Sequence, residues 1–301
     1  MILKKLPFVV LVLFAGVTCP PNFAAAQEDV ASLADSQSSL LPDSPSPVLA
    51  DSPSSAYPDS PSVAPQAPSH GMNSASQREV SWRSLPKNFL QDQKAIWLFP
   101  TQLARGRHWV PTLVVIGGTA AFIYADPHIM PHFQSPSQGL DNFNDVFDPL
   151  ITTSEVIALP ASLMLAGYIR HDSYQVGTAL LAAEAYGDSA IVDLAIKAVT
   201  RRQRPSDIPV GGDFHNTFFN GGKSPFKGSS FPSGHATGAF SVATVVARRY
   251  SNHRWVPWAV YGMATAISFS RVTSMAHFPS DVFLGAAIGY TTARYQVLRP
   301  R

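Results

Sequence analysis

The chain has 301 residues, of which 14% are charged and 46% hydrophobic, against roughly 25% charge in an average soluble domain, so much apolar surface has to be buried. Its 22 Lys and Arg nearly cancel its 20 Asp and Glu, and a net charge of +2 excludes a nucleic-acid partner, which needs a concentrated basic face. The single cysteine, Cys19, excludes an intramolecular disulfide and a structural zinc site built on cysteines.

Residues 1–26 open with Lys4 and Lys5, continue through the apolar stretch Leu6 to Val17 and end in Ala24-Ala25-Ala26. That order predicts an export signal, with an uncleaved membrane anchor as the alternative. Cys19 has poorly suited neighbours for lipidation and falls within the segment expected to be removed. Residues 27–80 hold 14 Ser and 8 Pro, with Asp-Ser-Pro-Ser recurring at Asp43, Asp51 and Asp59. Such a composition has too few large apolar side chains to offset the entropy of ordering, and predicts a solvated, disordered linker. From residue 82 to 301 the apolar runs are too long for strands and lack alternation, predicting an all-α bundle of about six core helices. These are expected over Pro111–Ala125, Ile151–Ile169, Tyr174–Thr200, His235–Tyr250, Trp255–Ser270 and Ser280–Val297, with short amphipathic pieces near Leu90–Leu103. The segments Gln134–Phe147 and Pro205–Phe231 are expected to be loops, the second long enough to serve a site.

A membrane span needs about 20 mainly apolar residues, and the uncharged runs here are shorter. The third core helix carries Glu184, Asp188 and Asp193, which would be costly in lipid. If the linker is exported and six helices cross, the motif-bearing loops would face the cytoplasm. The expectation is therefore a helical domain lying outside the inner membrane, in the periplasm or cell envelope. An integral membrane protein is the alternative.

Three motifs carry chemistry. Lys197 and Arg204 lie seven residues apart, two helical turns, with Pro205 expected to end the helix so that both cations emerge together. A lysine point charge and an arginine fork suit a phosphoryl group, although a basic helix terminus complementing the macrodipole, extended by Arg201 and Arg202, explains the pattern equally well alone. Pro232-Ser233-Gly234-His235 precedes a helix, where orphan amides, a serine hydroxyl and a closely approaching glycine backbone can cradle an anion. His235 is placed to give a proton to a leaving group. In Ser270-Arg271-x5-His277-x3-Asp281, Pro279 opens a helix with Asp281 in its first turn, able to accept a hydrogen bond from the near ring nitrogen of His277. The far nitrogen is then a free lone pair, hence a nucleophile. The surrounding cations and Asp281 push the imidazole pKa in opposite directions.

Together these motifs fix eleven residues in order, and on them the chain resembles the type 2 phosphatidic acid phosphatase and vanadium haloperoxidase superfamily over about Tyr174 to Tyr290. Gly285 and Gly289 also resemble that family's last core helix. The resemblance implies a phosphoric monoester hydrolase that needs no metal or other cofactor. His277 would form a phosphohistidine, Asp281 would orient it, His235 would protonate the leaving oxygen, and Lys197, Arg204, Ser233, Gly234 and Arg271 would hold the phosphoryl oxygens. Vanadate is expected to bind the same cradle as an inhibitor, or as a cofactor if the chain is instead a haloperoxidase. A non-catalytic envelope protein binding phosphate-bearing ligands is the third reading. The expected partner is a phosphate ester or a lipid phosphate, with membrane association. Asp141, Asp145 and Asp148 lack a residue closing a calcium loop, and His128, His132 and His215 have no matching ligand spacing.

Overall fold

The computed structural model describes Arg78 and residues 80–135, 137–221 and 229–299. The expected signal over 1–26 and nearly all of the expected linker lie outside the described residues. Residues Ser76–Arg301 fall within one contact unit, and among its described residues every regular element is helical. The helices are α1 Leu85–Trp97, α2 Phe99–Ala104, α3 Trp109–Ile129, α4 Gln138–Val146, α5 Pro149–Arg170, α6 Ser173–Thr200, α7 Gly234–Arg249, α8 Trp255–Thr273 and α9 Pro279–Thr292, with a π turn over Ala293–Val297. All six predicted core helices form, each within a few residues of its expected ends.

Helix α7 is central because most of its positions are small. Ala236, Thr237, Gly238, Ala239, Ser241 and Ala243 are all buried, and α6, α8 and α9 pack around it. The tightest crossing is with α9. A Cβ at Gly289 would stand 2.2 Å from the Thr237 carbonyl oxygen, and one at Gly285 2.5 Å from that of Ser233. Two glycines one turn apart thus let two backbones touch, as small residues do where helices approach closely. This crossing locks the start of α9 to the start of α7.

The expected loop Gln134–Phe147 is instead partly helical, as α4. Phe143 and Phe147 lie within 4.9 Å of each other by ring centroid, and Phe143 packs on Phe269 of α8. An amphipathic turn buries these rings, and Asp141 and Asp145 remain exposed on its outer face. Helix α6 also ends earlier than Pro205 would require. Arg201 adopts a left-handed conformation with φ 39° and caps the helix with a hydrogen bond from its N–H to the Lys197 carbonyl, so Arg204 lies in extended backbone beyond the helix.

The carboxylates of α6 do not face outward. Arg78 donates to Glu184 at 2.6 Å and to Asp92 at 2.7 Å, Gln93 donates to Asp188 at 2.8 Å, and Lys197 donates to Asp193 at 2.6 Å. All four acids are buried. Charges directed into a bundle and paired there present no charge to lipid, which removes the objection that α6 could not lie in a membrane. Helix α3, by contrast, exposes Val110, Leu113, Val114 and Ile116. The stretch Trp109–Phe133 is long and apolar enough to cross a membrane, and its most apolar window is only 17% buried.

Candidate active site

Four helix ends and one loop converge. Helix α6 delivers Lys197, the chain beyond it Arg204, the start of α7 Gly234 and His235, and the segment between α8 and α9 His277. All five line a cavity of about 310 Å³. Lys197 and Arg204 meet there because the left-handed turn at Arg201 redirects the chain, and not through helical periodicity. Gly234 brings its backbone close to the cation: a Cβ there would lie 3.1 Å from the Lys197 ammonium and would press on it. Ser233 is the N-cap of α7, its Oγ accepting from the Ala236 N–H at 3.4 Å, while the amides of the first turn face the cavity end of the helix.

His277 is buried. Its Nδ1 lies 2.7 Å from the Ser230 carbonyl oxygen and 3.6 Å from Asp281 Oδ2. The shorter contact is a hydrogen bond and the longer is not, so a backbone carbonyl fixes the tautomer and leaves the lone pair on Nε2. The sequence points to Asp281 as this partner; the nearer acceptor is the Ser230 carbonyl, which has no side-chain signature, while Asp281 still faces the ring. Asp281 has further partners. Its Oδ2 accepts from the Phe278 N–H at 2.7 Å and from the Ser230 hydroxyl, and its Oδ1 accepts from Arg202 at 2.7 Å. Burial depresses the pKa of His277 below the ordinary imidazole value; Asp281 opposes this, and the charges of Arg204 and Lys197 add to it.

Arg271 is buried beside the site without lining the cavity. It donates to the Phe147 carbonyl through Nη2 and to the Ser270 hydroxyl through Nε at 3.1 Å, while Nη1 has no partner among the described residues. Ser233 and Asp281 likewise support the cavity from behind. Asp193 does line it, held on Lys197, and was not anticipated as a site residue. Val156, Tyr186, Ala190 and Leu194 add apolar lining beside the polar Ser189 and Thr237. Cationic and apolar groups lining one cavity can hold a phosphoryl group and the hydrocarbon next to it. Among the described residues, His128, His132 and His215 lie away from the cavity lining, and His215 is paired with Asp213 on the surface.

Residues 176–299 match the family model described as the PAP2 superfamily. The lipid A 1-phosphatase of Porphyromonas gingivalis is 40% identical over 62 residues, which is 20% of this chain and only 14% of that protein. The crystal structure of the first transmembrane PAP2 type phosphatidylglycerolphosphate phosphatase from Bacillus subtilis is similar at a TM-score of 0.37 and 19% identity, covering 70% of this chain and 91% of that one.

Proposed function

On the match of residues 176–299 to the PAP2 superfamily model, we propose that the chain is a phosphatase of that family acting on lipid phosphates through a phosphohistidine. The observation that carries this is the cavity itself, lined by Lys197, Arg204, His235 and His277 together with the apolar side chains of Val156, Ala190 and Leu194. Nε2 of His277 attacks phosphorus, and the bond to the leaving oxygen breaks with its electron pair. His235 gives that oxygen its proton. Water then attacks the phosphohistidine, returning its proton to His235 and releasing phosphate. Lys197, Arg204 and the amides at Gly234 and His235 stabilise the equatorial oxygens, with Arg271 poised behind them, so charge stabilisation is supplied without a metal ion. The name of the lipid A 1-phosphatase relative supports a lipid substrate.

The same reading places the protein in a membrane, which departs from the sequence-based preference for a domain outside it. The exposed apolar face of α3 supports this, and so does the distribution of charge. The bundle end opposite the cavity carries exposed Arg105, Arg107, Arg170, Arg248, Arg254 and Arg299, whereas the cavity end carries exposed Asp141, Asp145, Asp148, Asp207 and Asp213. Basic residues mark the cytoplasmic side of a membrane protein, so the cavity faces away from the cytoplasm.

The test is phosphate release from a short-chain phosphatidate in detergent with EDTA present, alongside carbonate washing of membranes. Turnover in EDTA and retention in the washed pellet are expected. Failure on every phosphate ester, or turnover only with added divalent metal, would overturn the activity, and release by carbonate would overturn the membrane placement. The pH profile gives a further expectation. Protonation removes the Nε2 lone pair, so kcat/KM falls as pH drops through the depressed His277 pKa, and the acid limb should lie below the free-imidazole value of about 6.5. Lys197→Met removes a nearby positive charge and should move that limb upward.

A further inference from the structure

We propose that Arg202 is a positioning residue that sets the place of the nucleophilic histidine by holding both Ser230 and Asp281. The proposal rests on the phosphatase reading for its kinetic consequences, but not for its geometry. Arg202 is 1% exposed, and all three nitrogens of its guanidinium are used. Nη1 donates to Asp281 Oδ1 at 2.7 Å and to Ser280 Oγ at 2.6 Å, Nη2 to Asp126 Oδ2 at 2.7 Å, and Nε to Thr217 Oγ1 at 2.9 Å. Its plane is covered by Phe278 at 3.8 Å and Phe218 at 4.5 Å from the ring centroids.

The backbone completes the arrangement. The Ser230 N–H donates to the Arg202 carbonyl at 2.8 Å, the Ser230 hydroxyl donates to Asp281 Oδ2, and the Ser230 carbonyl accepts from His277 Nδ1. Arg202 therefore grips Ser230 directly through its own backbone and indirectly through Asp281, and Ser230 holds the nucleophile. Asp126, near the end of α3, anchors the far side. It accepts from Ser280 N–H at 3.2 Å and from the Ser280 hydroxyl, so α3 is tied to the first turn of α9. A lysine ammonium cannot reproduce this, since its three donors radiate from one atom while the partners of Arg202 lie around a planar fork.

Arg202→Lys is the test, with kcat, KM and the pH profile read together. A fall in kcat of roughly 100-fold with KM changed less than about threefold is expected, the signature of a misplaced reacting group. The acid limb should also rise. His277 faces Asp281 from α9, Asp193 and Lys197 from α6, Arg204 beyond α6 and His235 from α7, and none of these is altered. What changes is that Asp281, released from the guanidinium, can turn towards Nδ1. A purely structural role would lower the folded fraction and leave the limb in place. Wild-type kcat with an unmoved limb, or a loss of kcat matched by the loss of folded protein alone, overturns the proposal. Should Arg202→Lys fail to fold, Thr217→Val removes only the Nε partner, and should lower kcat about fivefold at constant KM; an unchanged kcat overturns the proposal there too. The histidine titration followed by nitrogen NMR separates the two readings. A His277 pKa that rises in Arg202→Lys supports the positioning role even if the wild-type protein hydrolyses nothing, and an unmoved pKa counts against it whatever the activity.

Discussion

His277→Ala is expected to lower kcat by at least roughly 10⁴-fold, to the background left by binding and charge stabilisation alone. The reason is geometric as well as chemical. His277 lines the cavity next to Lys197 and Arg204, its Nδ1 is committed to the Ser230 carbonyl at 2.7 Å, and so Nε2 alone is left to attack. Among the described residues near the cavity, Ser233 Oγ is spent capping α7, and His235, the other histidine of the lining, is assigned the proton transfer. The measurement is twofold, steady-state phosphate release and trapping of an acid-labile, base-stable phosphoryl label on the protein. Both should vanish together. Turnover that survives the substitution would remove the phosphohistidine from the mechanism, and a label that persists would place the nucleophile elsewhere. His235→Asn should be milder in labelling when the leaving group is an aryl phosphate, because a good leaving group needs less help from a general acid.

Gly289→Ala is expected to be the most damaging single-methyl change in the bundle. The added carbon would stand 2.2 Å from the Thr237 carbonyl oxygen and 2.8 Å from the Ser241 nitrogen, and backbone atoms of a central helix cannot swing aside as a side-chain end could. Overpacking of this kind costs about 3 kcal/mol or more where the neighbour is backbone. Because α9 carries Asp281 and α7 begins at the phosphoryl cradle, separating these helices should remove activity as well as lower the melting temperature in detergent. Gly262→Ala is the control. No atom lies within 4 Å of a Cβ at that position of α8, so the same methyl should be neutral or slightly stabilising through helix propensity. Equal melting temperatures for the two variants would refute the close α7–α9 crossing.

Much of the architecture follows from local pattern. Long apolar runs without alternation favour helices over strands, and the expected starts Ile151, Tyr174, His235, Trp255 and Ser280 fall close to the observed starts Pro149, Ser173, Gly234, Trp255 and Pro279. The membrane question was less legible, since it turns on the direction in which charges point. Glu184, Asp188 and Asp193 read as a polar interruption of α6, yet they face the interior and are held by Arg78, Gln93 and Lys197, the first two of which lie 106 and 95 residues away. A sequence lists charges without saying which of them meet. The same limit explains α4. Its acidic residues suggested a solvated loop, and only the packing of Phe143 against Phe269 on α8 reveals why the segment coils.

The sequence alone pointed to five of the residues that line the cavity, although it also named Ser233, Arg271 and Asp281, which stand outside the lining, and passed over Asp193. Lys197, Arg204, Gly234, His235 and His277 are set at fixed spacings beside helix ends, and those ends meet around one cavity. Which residue types gather at helix ends is a local property, even where, as for Lys197 and Arg204, the helical spacing read from the sequence is not what brings them together. What tertiary structure decided is the order of support behind them. The carbonyl of Ser230 holds His277, Arg202 holds Ser230 and Asp281, and Asp126 of α3 holds Arg202. Arg202 reads in sequence as one more basic residue after a helix, and it becomes the centre of the network because the left-handed turn at Arg201 directs it inward. A buried guanidinium is stable only where several acceptors from distant segments converge upon it, and that convergence exists only once the chain has folded.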